Sequence, residues 1–208
     1  MHYLFLAVLT PFSDCKSLAP TWETLANDFV SEPNVVIAKV DAEAPDSKKV
    51  AEEQGVKSYP TIKYFAAGSK EPTPYEGARS EQAFIDFINE KAGTARAPGG
   101  KLNPTAGTIA AIDSVIQKIL EKGTSLGEQA DDIIAAAKKE AASQFSSYYS
   151  KVAEKIKANS GYVDQEFKRL QGLLSKGGLA PEKFDDLTTR SNILRKFKGT
   201  VTDEKSEL

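Results

Sequence analysis

Residues 15–29 read Cys-Lys-Ser-Leu-Ala-Pro-Thr-Trp-Glu-Thr-Leu-Ala-Asn-Asp-Phe. Leu18, Trp22, Leu25, Ala26 and Phe29 recur at helical spacing and give this stretch one apolar face. Pro20 lies inside the pattern and is expected to kink the helix, because it lacks an N–H and its ring crowds the preceding turn. Upstream, the apolar run from Tyr3 to Leu9 fits a buried parallel strand leading into the helix. As a signal peptide the same run is short and lacks a basic flank. Downstream, Val35-Val36-Ile37-Ala38-Lys39-Val40 is a short β-branched run, again a buried strand.

The alternation continues. Ser47 to Gln54 reads as a helix stopped by Gly55, and Thr61-Ile62-Lys63-Tyr64-Phe65 reads as a strand ending in the turn Ala67-Gly68-Ser69. A short edge segment is expected at 75–77, and Ser80 is placed to cap a helix carrying Phe84, Ile85, Phe87 and Ile88. Strands alternating with helices imply an α/β layer architecture. Residues 93–107, rich in Gly and Pro, read as a linker.

Beyond the linker every stretch is helical in period. Ile109, Ile112, Val115, Ile116, Ile119 and Leu120 form one stripe, and residues 128–142 are rich in alanine. Tyr148, Tyr149, Val152 and Ile156 form another, as do Phe167, Leu170, Leu173 and Leu174. Pro181 is placed to open a last helix with Phe184, Leu187, Leu194 and Phe197. An all-α bundle of four or five helices is expected. The domain reading is therefore an α/β domain at 1–92, a linker at 93–107, a helical domain at 108–198 and a flexible polar tail at 199–208.

The chain has 208 residues, enough for two small cores, and a formal net charge of −2. That balance gives no electrostatic reason to expect nucleic acid or an anionic membrane as partner. Residues 1–95 carry 9 basic and 14 acidic side chains and residues 96–208 carry 18 and 15, which agrees with two domains. No segment reaches the roughly 20 apolar residues of a membrane span. A single cysteine excludes an internal disulfide framework, and one isolated histidine, His2, gives no metal cluster; no metal or other cofactor is expected.

Four motifs then agree in order and spacing: Cys15-Lys16-Ser17-Leu18-Ala19-Pro20, Ala38-Lys39-Val40-Asp41-Ala42, Val56-Lys57-Ser58-Tyr59-Pro60-Thr61-Ile62 and Tyr75-Glu76-Gly77-Ala78-Arg79. Over roughly residues 4–92 the chain resembles the protein disulfide isomerase family. The helical half resembles the D domain that ends one subgroup of it, chiefly through Phe184 to Leu194. The terminal Lys205-Ser206-Glu207-Leu208 resembles the Lys-Asp-Glu-Leu retrieval signal, with Ser206 in place of aspartate.

The resemblance implies a thioredoxin-like domain in which Pro60 is cis and, with Tyr59 and Thr61, holds an extended peptide substrate facing the active-site sulfur. It implies that Arg79 swings towards the dithiol and tunes its pKa. Lys39 would pair with a buried glutamate, but Leu6 stands at that position. Trp22 is expected as core packing. Cys15 matches the second, resolving cysteine of the C-x-x-C pair; ungapped, Phe12 occupies the nucleophile's place, and with one deletion Ser13 does. A lone thiol can form or break one mixed disulfide but cannot cycle a dithiol.

The strand and helix that precede the active-site strand in the family have no room here, and the likeness begins abruptly at Cys15. A truncated, alternatively spliced or misjoined N-terminus is therefore expected, with an exposed sheet edge as its cost. The implied function is oxidative folding of secretory proteins by thiol–disulfide exchange in the endoplasmic reticulum lumen, impaired in this chain, with Cys15 and Arg79 as the catalytic residues. The alternative is a non-enzymatic client-binding chaperone or escort of the same compartment. A helical assembly domain at 108–198 is a third reading. The implied partners are unfolded or disulfide-containing secretory proteins and, through the C-terminus, a retrieval receptor.

Overall fold

A computed structural model describes residues 1–8 and 13–199, the side chains of 5–8 excepted. Phe12, the side chain of Leu6 and the Lys205–Leu208 motif lie outside the described residues. The chain divides into two compact units, Met1–Asn103 and Pro104 onward.

The first unit runs β1 (His2–Val8), α1 (Ser13–Asp28), β2 (Val35–Asp41), α2 (Pro45–Glu53), β3 (Thr61–Phe65), β4 (Thr73–Pro74) and α3 (Glu81–Ala92). Its sheet has the order β2-β1-β3-β4, with β1 and β2 parallel and the β1–β3 and β3–β4 pairs antiparallel. Among the described residues β2 has β1 as its one neighbour. Registers Leu4↔Ile37 and Leu4↔Tyr64 place these three side chains on one face. That face packs with Leu18, Trp22 and Leu25 of α1 and Phe84, Ile85 and Ile88 of α3. The opposite face carries Tyr3, Val36 and Phe65 in register, and none of them is buried. Helix α2 adds Ala51 as its one buried residue.

Helix α1 continues through Pro20 as one element. The edge segment expected at 75–77 forms two residues earlier, because Lys63 and Tyr64 of β3 pair with Pro74 and Thr73. Ser80 caps α3, its hydroxyl accepting from Ala83 N–H at 3.3 Å.

The stretch expected as a linker is built into the first unit as far as Asn103. Strands β5 (Arg96–Ala97) and β6 (Lys101–Leu102) flank a single turn at Pro98–Gly100. The Asn89 side chain of α3 brackets Arg96, donating to its carbonyl at 2.8 Å and accepting from its N–H at 2.9 Å. Arg96 is 5% exposed, and its guanidinium meets Glu32 at 2.6 Å and the Gly100 carbonyl at 2.9 Å. A connector's composition is thus held by a buried ion pair.

The second unit contains α4 (Ala110–Glu121), α5 (Ala130–Lys139), α6 (Ser146–Ala158), α7 (Tyr162–Lys176) and α8 (Pro181–Lys198). All five contribute to one core, including Ile116, Ile133, Tyr149, Leu170 and Ile193, each fully buried. The Tyr149 hydroxyl accepts from Ile109 N–H at 3.1 Å and donates to Asp113 at 2.6 Å, fixing the start of α4. Gly107 has φ +77°, and a Cβ there would lie 2.0 Å from the Thr189 methyl, so glycine is required.

Candidate active site

Cys15 is the third residue of α1, and its position in the heptad-like spacing 15, 18, 22, 25 makes it the first member of the buried stripe. It is 4% exposed and shares a core cluster with Leu18, Trp22, Ile62 and Phe84. Ser13 and Asp14 stand exposed at the same helix N-terminus, the end whose free amides and dipole favour a thiolate. The one thiol is therefore on the inside of the turn, and the exposed groups beside it are the Ser13 hydroxyl and the Asp14 carboxyl group.

The Tyr59–Pro60 peptide is cis. Pro60 is buried, and half-buried Tyr59 packs against the cluster that contains Cys15. Thr61 opens β3, and its hydroxyl donates to the Ser58 carbonyl at 2.5 Å, closing the turn around the proline. Arg79 is exposed and donates from Nη2 to the Pro60 carbonyl at 3.3 Å. Tyr59, Pro60, Thr61 and Arg79 thus come together, and the contact Arg79 makes is with the peptide that the proline turns.

The loop carrying Arg79 is wrapped on Tyr75. That ring lies 5.0 Å from both Phe84 and Phe87, and its hydroxyl donates to the Ala78 carbonyl at 2.7 Å. A Cβ on Gly77 would lie 2.6 Å from the same phenol oxygen, so the chain crosses the ring face closely there. Burial, reinforced by Asp86, pushes the Tyr75 hydroxyl above its ordinary pKa, which keeps it a neutral donor.

Lys39 meets Glu23 of α1 at 3.8 Å, both side chains substantially exposed, a surface pair of small energetic weight. Its Cα partner in β1 is Leu6. Trp22 packs edge-on to Phe84 at 5.4 Å, as a core residue does. His2 is less isolated than its sequence position suggests: Nδ1 lies 2.5 Å from the Tyr64 hydroxyl. Among the described residues no group of three His, Cys, Asp or Glu side chains could hold a metal ion, and no helix is long and apolar enough to cross a membrane.

Sequence reading missed Asp28. It ends α1 on the same buried face as Leu18, Trp22 and Leu25 and is 2% exposed.

Comparison with known proteins defines the class first. Residues 11–90 match the thioredoxin family model, and residues 107–197 match that of the endoplasmic reticulum protein ERp29, C-terminal domain. Protein disulfide-isomerase tigA of Aspergillus niger is 57% identical over 197 residues, covering 93% of this chain and 52% of its own length. Protein disulfide-isomerase erp38 of Neurospora crassa is 49% identical over 196 residues, covering 93% and 53%. Protein disulfide-isomerase 1 of Dictyostelium discoideum is 35% identical over 190 residues, covering 89% and 52%. The chain belongs to the protein disulfide isomerase family, in the form that ends in a helical domain. It spans about half the length of the relatives it matches.

Proposed function

We propose that this chain is a protein disulfide isomerase family member of the endoplasmic reticulum lumen whose thiol–disulfide exchange is impaired. The observation that carries the reading is Cys15: it is the one cysteine of the chain and it is buried in the apolar core. Exchange needs an exposed thiolate to attack and a second thiol to resolve the mixed disulfide. With Cys15 alone, one mixed disulfide can form or break and no dithiol couple turns over. Arg79 stands beside the proline turn, where it donates to the Pro60 carbonyl. Reduction of insulin by the full chain is expected to stay near background and to be unchanged in Cys15→Ser; turnover above background that disappears with Cys15→Ser would overturn the proposal.

A second reading rests on the cis proline turn. Tyr59, Pro60 and Thr61 remain assembled with Arg79, a surface suited to an extended segment of an unfolded secretory protein, and the chain acts there as a client-binding escort. The retrieval-like C-terminus would keep such an escort in the compartment through its receptor. Suppression of aggregation of a reduced, unfolded client is expected at stoichiometric protein and is expected to survive Cys15→Ser. No suppression at that ratio would remove the reading.

A further inference from the structure

One edge of the first unit's sheet is β2, and its backbone is half used. His2 N–H donates to the Asn34 carbonyl at 2.6 Å, and His2 stands opposite Val35. In a parallel pair a residue bonds to the two neighbours of the residue it faces, so this one bond sets the phase of the ladder. His2, Leu4 and Leu6 bond to even-numbered residues of β2, and the N–H and C=O groups of Ile37 and Lys39 point away from β1. Neither of these backbones has a partner on that side among the described residues. Such a row of unpaired groups is a template for a further strand.

The devices that blunt an edge are weak here. Strand β2 is seven residues long, has no proline and is β-branched at Val35, Val36, Ile37 and Val40. Its one cation, Lys39, is drawn to Glu23 of α1, 3.8 Å away. On the open face, half-buried Val36 adjoins Tyr3, and a cavity of about 250 Å³ lies among Tyr3, Ala38, Phe65 and Ser69.

Charge decides what suits this edge. Where β2 runs into α2 stand Asp41, Glu43 and Asp46, and none of them has an ion-pair partner among the described residues. Residues 1–95 carry 9 basic and 14 acidic side chains, so a second copy would bring like charge to like charge. A strand with a lysine or arginine at the end beside Asp41 brings opposite charge to it, and its apolar side chains extend the open face.

We propose that the β2 edge is a strand-addition site for an extended segment of an unfolded polypeptide, apolar in alternation and basic at the end that meets Asp41, Glu43 and Asp46. Main-chain bonds to Ile37 and Lys39 supply the affinity, and the carboxylates and the open face select the sequence. Strand β1 separates β2 from β3, the strand that Pro60 precedes, so this site is distinct from the proline turn. That the segment comes from a secretory client rests on the client-binding reading; the edge and its chemistry do not.

Fluorescence anisotropy and residue-resolved hydrogen exchange of the full chain test this, with a labelled peptide of about eight residues that alternates valine and threonine between terminal arginines. The bound peptide is expected to protect the Ile37 and Lys39 amides about tenfold or more, while those of Val36 and Ala38, already bonded to β1, change little. A twin peptide with glutamates for the arginines is expected to bind about fivefold more weakly or worse, and Asp41→Asn, Glu43→Gln and Asp46→Asn together should narrow that difference to about twofold. Lys39→Pro removes an outward N–H and sets its ring against the incoming strand without taking a bond from β1, and should weaken binding about tenfold or more. Fluorescence of Trp22 checks that this variant folds; if it does not, the amide pattern and the carboxylate variants decide. Protection at Tyr59 and Thr61 in place of Ile37 and Lys39, or equal affinity for the two peptides, would overturn the proposal. So would protection of Ile37 and Lys39 in the peptide-free chain that rises with its concentration, the mark of a second copy. Peptide seated on the edge of a chain that suppresses no client aggregation would remove the client-binding reading and uphold the edge site.

Discussion

The two units enclose their apolar surface in different ways. In the helical unit, α4 to α8 all turn residues into one core, and Ile116, Tyr149 and Leu170 have no exposed surface. In the α/β unit the sheet is sealed by α1 and α3 on one face, while on the other Tyr3 is 41% exposed. A helix hides one stripe and can be surrounded; a sheet has two faces and an edge, each needing its own cover. The difference teaches where mutations will be felt. The helical unit is sensitive throughout, and the α/β unit is sensitive on one side.

The largest expected effect tests that enclosure. Ile116→Ala removes a fully buried side chain from a core closed by five helices, and should cost about 3–4 kcal/mol through lost burial and the cavity left behind. Denaturant titration followed by far-ultraviolet circular dichroism reports the helices of both units, and fluorescence of Trp22, the sole tryptophan, reports the first unit, so the helical unit is read from the part of the dichroism transition that the fluorescence does not follow. Two signals are needed because a two-unit chain need not unfold in one step. A cost under about 1 kcal/mol would mean that the helical core collapses around the gap and is less rigid than its burial implies.

A smaller effect is expected at the polar tie of the same core. Tyr149→Phe keeps the ring but removes the hydroxyl that accepts from Ile109 N–H and donates to Asp113, for a loss of about 1–2 kcal/mol. Burial, ahead of the opposing effects of Tyr149 and Lys196, raises the Asp113 pKa, so the variant should also alter the acid limb of the stability profile. An unchanged midpoint in the same titration would show that the start of α4 is held by packing alone.

The smallest effect belongs to the open face. Tyr3→Ser should cost no more than about 0.5–1 kcal/mol, because the side chain is already well exposed. A loss as large as that of Ile116→Ala, read by Trp22 fluorescence, would break the comparison, since it would mean that the face is covered in solution.

Much of this architecture was legible in the sequence because it depends on local period and local chemistry. Strand β3 coincides with the run Thr61–Phe65, Ser80 caps its helix, and the helical stripes after residue 108 became α4 to α8. The proline turn was legible through resemblance, since nothing local distinguishes a cis proline from one that merely begins a strand. What stayed hidden depends on distant partners. The 93–103 segment has a connector's composition, yet Arg96 is held by Glu32, 64 residues away along the chain. Asp28 was not singled out in the sequence; it is buried where the backbone of Gly100, far along the chain, packs against its Cα. Helix α8 has a blurred apolar stripe because Thr189, Ser191 and Asn192 are buried among its apolar residues. Resemblance turned Arg79 towards the dithiol, whereas its bond to the Pro60 carbonyl becomes visible once the turn is folded.

The hairpin at 96–102 also sets where this molecule can be cut. A recombinant fragment that stops at Ala92, the last residue of α3, omits the guanidinium that lies against Glu32 and the Gly100 backbone that packs against Asp28. It would leave two acidic side chains at an unfinished surface. The seam for dissecting the chain, or for exchanging one half with that of a relative, lies between Asn103 and Pro104.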